Sequence, residues 1–241
     1  MKKAIVTGAT SGIGQQVALQ LAARGWQVGV AGRRTEILEK MVSENENVVA
    51  FKRLDVTDEN AGDTLVEFIT ETGGVDLYFH SSGIGWQNNA LDIEKELNTV
   101  KTNALGWTRM IDSAFNWMAE NGGGQLAAIS SIAGTKGLGA APSYSATKRY
   151  QRHYLECLTQ LSHMRKLGVK ITDIRPGFVD TALIAGSSYP LQLKPECVAK
   201  SIVSAVEKRK SVVTIDWRYR ILVKFWSWIP RCLWVRMNIG K

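Results

Sequence analysis

Apolar residues along this chain follow two alternating rhythms. Short apolar runs at Lys3–Thr7, Trp26–Ala31, Val48–Leu54, Val75–His80, Gln125–Ser130 and Val169–Ile174 predict strands. Between them lie stretches with helical spacing: 15–24, carried by Val17, Leu19, Leu21 and Ala22, then 35–44, 60–70, a long one over roughly 93–119, and 144–166. Gly25 and Gly168 stop two of these helices, Pro195 opens a further one, and Ser211–Asp216 is a candidate seventh strand. Strands and helices alternating at this rate need crossover connections. They therefore predict an α/β fold, a Rossmann-type doubly wound parallel sheet with helices on both faces, in a single domain. No repeat or linker divides the chain. The one long irregular stretch, about 181–194, follows a strand end, where a substrate lid would sit.

Composition narrows this picture. The 241 residues, 45% of them hydrophobic, suffice for one full core. Cys157, Cys197 and Cys232 have neither metal-ligand spacing nor the even count of a disulfide scaffold, so no metal is expected. The opening MKKAIVTGATSGIG runs into glycines without a long apolar segment. It reads as the first strand of the mature protein, in a cytoplasmic setting.

The charge is uneven. Residues 1–206 carry 21 Lys/Arg against 20 Asp/Glu, whereas residues 207–241 carry 9 against 2 and hold four of the eight tryptophans. The boundary is drawn at Asp216: a Rossmann-type main domain over 1–216 and a basic, aromatic tail over 217–241.

The chemistry begins after the first strand, at Thr7-Gly8-Ala9-Thr10-Ser11-Gly12-Ile13-Gly14. Three glycines between strand and helix allow a tight turn and let the backbone approach a pyrophosphate, whose charge suits a helix N-terminus. The second strand leads into Arg33 and Arg34, with no carboxylate to accept from ribose hydroxyls. Two arginines suit a ribose carrying a 2'-phosphate, so NADP(H) is expected ahead of NAD(H). Asp55, closing the third strand, is a partner for the adenine edge. Tyr144 and Lys148 lie four apart at a helix start, on one face, where an ammonium can stabilise a phenolate and tune it for proton transfer. Ser131 is placed to hold a substrate oxygen.

These residues resemble the short-chain dehydrogenase/reductase family over roughly 3–216. The turn matches T-G-x-x-x-G-x-G, Tyr144 and Lys148 match Y-x-x-x-K, and Ser131 stands thirteen residues before the tyrosine. Asn103 matches the family's helix asparagine, Asp55-Val56 its adenine-side motif, and Pro176-Gly177-Phe178-Val179-Asp180-Thr181 its nicotinamide-side P-G-x-x-x-T. The resemblance implies a carbonyl–alcohol oxidoreductase in which Tyr144 is the acid/base. Lys148 binds the nicotinamide ribose, Ser131 orients the substrate oxygen, and Asn103 holds a water linking the lysine to solvent. Thr10, Ser11, Ile13, Gly83, Val179 and Thr181 join the cofactor-binding set. It also implies a homodimer or homotetramer built through the helices near 93–119 and 144–166. One segment departs from the pattern: His80-Ser81-Ser82-Gly83 stands where the family has N-N-A-G, keeping only the glycine.

The tail, Trp217 to Met237, holds no acidic residue. Arg218, Arg220, Lys224, Arg231 and Arg236 interrupt it too often for a membrane span, and Pro230 splits it into two short helices. Three readings remain open: contact with a membrane surface, at the inner face of a membrane, cover over its own cleft, or packing against a partner subunit. Together with Leu183, Ile184, Tyr189 and Leu191 it points to an apolar ketone or aldehyde as substrate. The alternative function is a non-catalytic cofactor-binding sensor or scaffold, which would not need the Tyr144, Lys148, Ser131 and Asn103 set. Epimerisation or dehydration on the same fold calls for a larger substrate domain. No groove-reading motif supports nucleic-acid binding.

Overall fold

A computed structural model describes residues 1–184 and 189–239, with Ile184 by its backbone alone. The strands are β1 (Lys3–Thr7), β2 (Gln27–Gly32), β3 (Val48–Arg53), β4 (Leu77–His80), β5 (Gly124–Ile129), β6 (Val169–Arg175) and β7 (Val212–Thr214). They form one parallel sheet in the order β3-β2-β1-β4-β5-β6-β7. The helices are α1 (Gly12–Ala22), α2 (Thr35–Glu44), α3 (Ala61–Glu71), α4 (Ile93–Val100), α5 (Trp107–Glu120), α6 (Pro142–Arg165), α7 (Pro195–Glu207), α8 (Trp217–Trp228) and α9 (Arg231–Trp234). The doubly wound α/β fold expected from the alternation is the fold observed.

Both faces of the sheet are buried, as crossover helices require. One core joins Val6, Val28 and Val30 to Leu21 of α1 and Ile202 of α7. The other joins Ile5, Tyr78 and Leu126 to Phe68 of α3, Met110 of α5 and Leu155 of α6. Strand order reverses between β1 and β4, whose last residues, Thr7 and His80, are directly paired. The glycine turn and the 81–83 segment therefore leave the sheet side by side, at the switch point where α/β sheets open a crevice.

Several boundaries differ from expectation. Helices α1 and α6 start earlier, at Gly12 and Pro142, because the glycine turn itself enters the helix and Pro142 occupies a first-turn position that needs no N–H. Strand β7 keeps only Val212–Thr214. The long helix near 93–119 is three segments: α4, a π-helical turn at Lys101–Gly106, and α5. A 3.6-residue apolar period cannot register such a local widening. It brings Gly106 against the backbone of Val56, so close that a Cβ there would stand 2.4 Å from the Val56 carbonyl oxygen.

Pro230 separates α8 from α9, and the tail packs against its own subunit at several points. Tyr219 is fully buried, and a Cβ on Gly177 would lie 2.2 Å from its ring. Its hydroxyl accepts from the Phe178 N–H at 3.2 Å and donates to the Leu191 carbonyl at 3.0 Å. Trp234 Nε1 donates to the Gly137 carbonyl at 2.7 Å, and Lys136 Nζ to the Ile229 carbonyl at 2.8 Å. No helix among the described residues is long and apolar enough to cross a membrane.

Tyr219 is thus a core residue supplied by the tail. Tyr219→Ala should lower unfolding stability by about 3–5 kcal/mol, the usual loss for truncating a buried aromatic. Urea unfolding followed by circular dichroism measures it, and a loss under about 1 kcal/mol would show that the tail folds independently of the body.

Candidate active site

The glycine turn is shaped by close backbone contacts. Gly8 and Gly12 have φ of +82° and +55°, values that L side chains rarely adopt. A Cβ on Gly14 would stand 2.2 Å from the Gly8 carbonyl oxygen, and one on Gly8 would stand 2.7 Å from Ser82 N. Ile13 tucks against the α1 side of the core. Ser11, the N-cap of α1, makes no side-chain bond to the helix, so the first-turn N–H groups have no side-chain cap.

Arg34 reaches back over this turn, with Nη2 donating to Thr10 Oγ1 and Ser11 Oγ, both at 2.8 Å. Exposed Arg33 lies 3.7 Å from the Asp55 carboxylate. Burial pushes the Asp55 pKa up, but hydrogen bonds from Thr57 and the charges of Arg33 and Lys101 bring it below the ordinary value. On the far side, Thr181 packs over Gly12, whose Cβ would lie 3.1 Å from Thr181 Cγ2. Buried Val179 bridges to Leu193. The Pro176 carbonyl accepts from Ile132 N at 3.1 Å, tying the segment after β6 to the residues after Ser131.

The residues expected from sequence to handle the proton converge where β5 ends. Ser131 lies just past β5 and caps a short 3-10 turn at Ile132–Gly134, its Oγ accepting from Ala133 N at 3.1 Å. That turn lies against α6 so closely that a Cβ on Gly134 would stand 2.7 Å from the Lys148 carbonyl oxygen. Glu96 accepts from the Ser143 N–H at 2.9 Å and holds the first turn of α6. One turn on, Lys148 is buried with its ammonium 5.7 Å from the Tyr144 ring centroid. Burial pushes the Lys148 pKa down to about 8, against the pull of Asp173.

For Tyr144, burial is the larger influence and raises its pKa, while the Ser131 hydroxyl lowers it. The expectation from sequence was a net lowering by the lysine. The difference arises because the phenol sits in a desolvated site. Gly85 is obligatory beside it, since a Cβ there would lie 2.3 Å from the Tyr144 ring.

Sequence reasoning missed Gln151. It is fully buried; its Oε1 accepts from Lys148 Nζ at 2.9 Å and its Nε2 donates to the Asn103 carbonyl at 2.8 Å. Lys148 Nζ also donates to the Ile129 carbonyl at 3.0 Å. A side-chain amide thus joins the Lys148 ammonium to the Asn103 carbonyl. The available signal was spacing: Gln151 is three residues past Lys148 on the same helix face. Asn103 lies within the π turn, and its side-chain amide pairs with both backbone groups of Ile84, at 2.9 and 2.6 Å. A Cβ on Gly83 would lie 3.4 Å from Asn103 Oδ1 and 3.6 Å from Lys148 Nζ, ordinary contact distances that place the retained glycine beside both residues.

The segment after β6 is partly described. Tyr189 stacks on Phe178 with centroids 4.1 Å apart, and its hydroxyl accepts from Gln87 Nε2 at 2.8 Å. Leu183 and Leu191 are exposed. The side chain of Ile184 lies outside the described residues.

Comparison with known proteins gives a consistent picture. The family model described as short chain dehydrogenase matches residues 2–189. An uncharacterized oxidoreductase of Myxococcus xanthus (strain DK1622) is 31% identical over 240 residues, 96% of this chain and 94% of that protein. One from Staphylococcus aureus (strain USA300) is 31% identical, covering 88% of this chain and 93% of that protein. Among solved structures, a Thermococcus sibiricus alcohol dehydrogenase complexed with 5-hydroxy-NADP superposes with a TM-score of 0.79 at 23% identity, over 89% of this chain and 96% of that one. A Sphingobium yanoikuyae short-chain dehydrogenase in complex with NADPH gives a TM-score of 0.81 at 18% identity, over 100% of this chain and 98% of that one.

The departure at His80 has a measurable consequence. His80 is fully buried on β4; its Nδ1 pairs with the Tyr78 hydroxyl at 2.8 Å, and its Nε2 has no partner among the described residues. Burial, reinforced by the Lys148 charge, pushes its pKa down to about 3 from the ordinary 6.5. As pH falls below 6.5 the unfolded chain takes up a proton that the folded chain refuses. Stability is therefore lost on acidification, by up to about 1.4 kcal/mol per pH unit until the folded value is reached. His80→Asn should lose about 2 kcal/mol less than the parent between pH 6.5 and 5 in urea titrations. Equal losses in the two proteins would show that His80 is not held neutral.

Proposed function

From the premise that this chain belongs to the short chain dehydrogenase family, we propose that it is an NADP(H)-dependent oxidoreductase that interconverts a carbonyl and an alcohol, reducing an apolar ketone or aldehyde. The observation that carries the reading is the single assembly of half-buried Tyr144 with buried Ser131, Lys148, Gln151 and Asn103 at the end of β5, opening on the glycine-lined crevice. A scaffold would gain nothing from burying an ammonium beside a tyrosine.

The crevice residues fit a dinucleotide. The first turn of α1 offers N–H groups without a side-chain cap beside Gly8, Gly12 and Gly14, which suits a pyrophosphate. Arg34, Thr10, Ser11 and Arg33 converge where a 2'-phosphate would lie, and Asp55 stands beside them for the adenine. Gly83, Pro176, Gly177, Val179 and Thr181 would hold the nicotinamide end. When bound, the cofactor supplies or accepts the hydride.

The chain's own residues manage the proton. Ser131 fixes the substrate oxygen. Tyr144, kept protonated by burial, donates its phenolic proton to that oxygen during reduction and takes it back during oxidation. Lys148 lies close enough for its charge to stabilise the phenolate. Gln151 and the Ile129 carbonyl hold the ammonium in place, and the amide of Gln151 ties it to Asn103.

The apolar substrate is supported by Phe178, Tyr189, Leu183 and Leu191 around the segment after β6. A homodimer or homotetramer is supported by Ile93, Leu97 and Val100, which leave one face of α4 apolar and exposed. Cytoplasmic placement remains part of the proposal on the sequence grounds above.

Incubation with NADPH and, separately, NADH against carbonyls from small polar to long-chain and steroid-like should consume NADPH preferentially, most with apolar compounds. Tyr144→Phe should abolish turnover, by about 1,000-fold or more, the order expected for losing a general acid. Preference for NADH would overturn the reading of Arg33 and Arg34, and unchanged turnover in Tyr144→Phe would overturn the mechanism.

Gln151 should act as a positioning residue. Gln151→Leu should lower kcat by about 10-fold or more, as expected for removing a hydrogen bond to a charged group. Gln151→Glu places a carboxylate beside Lys148 and favours its charged form. The alkaline limb of the kcat profile should then move to higher pH. An unmoved limb would mean that Gln151 serves packing alone.

A further inference from the structure

A second cavity lies away from the crevice, between α6 and α8 at the β7 edge of the sheet, with a volume of about 450 Å³. Five cations line it, Lys136, Arg149, Arg152, Arg220 and Lys224, and no carboxylate does. None of the five forms an ion pair among the described residues. Like charges gathered in a recess repel one another, and the low-dielectric wall sharpens the repulsion. Arg152 shows this most clearly: Nη1 donates to Thr135 Oγ1 at 2.9 Å, while its Nε is buried without a partner. Burial pushes its pKa down to about 10, with Arg175 and Arg149 adding to the fall and Asp173 and Glu156 opposing it. Thr135, Thr214, Ser227 and Val223 complete the lining.

We propose that this recess is an anion site for a phosphate-type group, distinct from the dinucleotide crevice. The chemistry selects the class. Guanidinium forks beside hydroxyls match the several oxygens of a tetrahedral phosphate, and a dianion or diphosphate offsets charge that a single carboxylate would leave uncompensated. The phosphate belongs either to a small soluble ester or to a lipid headgroup. Both carry the same chemistry, and the surroundings leave room for each. Arg220 and Lys224 line the recess from one side of α8, while Trp217, Ile221, Phe225 and Trp228 form an exposed apolar stripe along the adjacent side. The site also has a structural neighbour of note: Thr135 and Lys136 directly follow the Ile132–Gly134 turn that Ser131 caps.

The test uses the full chain saturated with NADP+, so that phosphate sites in the crevice are filled. One arm measures the melting temperature in inorganic pyrophosphate against sodium chloride at equal ionic strength. The other measures flotation with phosphatidylglycerol/phosphatidylcholine vesicles against phosphatidylcholine alone. Each arm compares the parent with Arg149→Gln/Arg220→Gln and with Lys208→Gln/Lys210→Gln, an equal loss of charge at exposed positions outside the recess.

The expected result is binding in at least one arm: a rise of at least about 3 °C in pyrophosphate, or capture by anionic vesicles. The recess variant should weaken it by about tenfold or more, and the control should retain it. Response only to pyrophosphate assigns a soluble ester, and response only to vesicles assigns a headgroup. No response in either arm overturns the proposal, as does equal binding by the recess variant or equal loss in the control.

Discussion

The buried ammonium of Lys148 is the constraint around which the candidate site is organised. A cation removed from water is costly unless its donors are met, and here the Ile129 carbonyl and the Gln151 amide meet two of them. Those two partners come from the end of β5 and from the next turn of α6, so the lysine fixes the strand and the helix relative to each other. Asn103 is drawn into the same assembly by Gln151, and Ser131 by the 3-10 turn that presses on the Lys148 carbonyl. The same charge bears on His80 through the interior and helps keep it neutral.

Glycines make the convergence sterically feasible. Gly8, Gly14, Gly85, Gly106, Gly134 and Gly177 each stand where a Cβ would fall within 3 Å of a neighbouring group. They are where backbone meets backbone or ring: turn against turn at Gly8, π turn against loop at Gly106, crevice segment against the Tyr219 ring at Gly177. The crevice and the candidate site around Lys148 share one wall because these segments can touch.

The tail changes meaning in three dimensions. One of its residues, Tyr219, completes the body by supporting the segment after β6, while the outer side of the same helix stays apolar and exposed beside a cationic recess.

Sequence determined the elements and their order, because strand and helix periods are local properties of the chain, and parallel crossovers leave few topologies. It also placed Tyr144 with Lys148 on one helix face, the glycine turn after β1, and Arg33 and Arg34 after β2, since each depends on short spacing alone. Only the tertiary structure decided the rest. Gln151 joined the site because a helix face and the π turn meet across a packed interior. Tyr144 shifted upward because burial, which no spacing reveals, outweighs its neighbours. Five cations from α6, α8 and the loop before α6 became one recess because the tail folds back on the body. Separations of tens of residues vanish on folding, and the electrostatic consequences of burial appear only then.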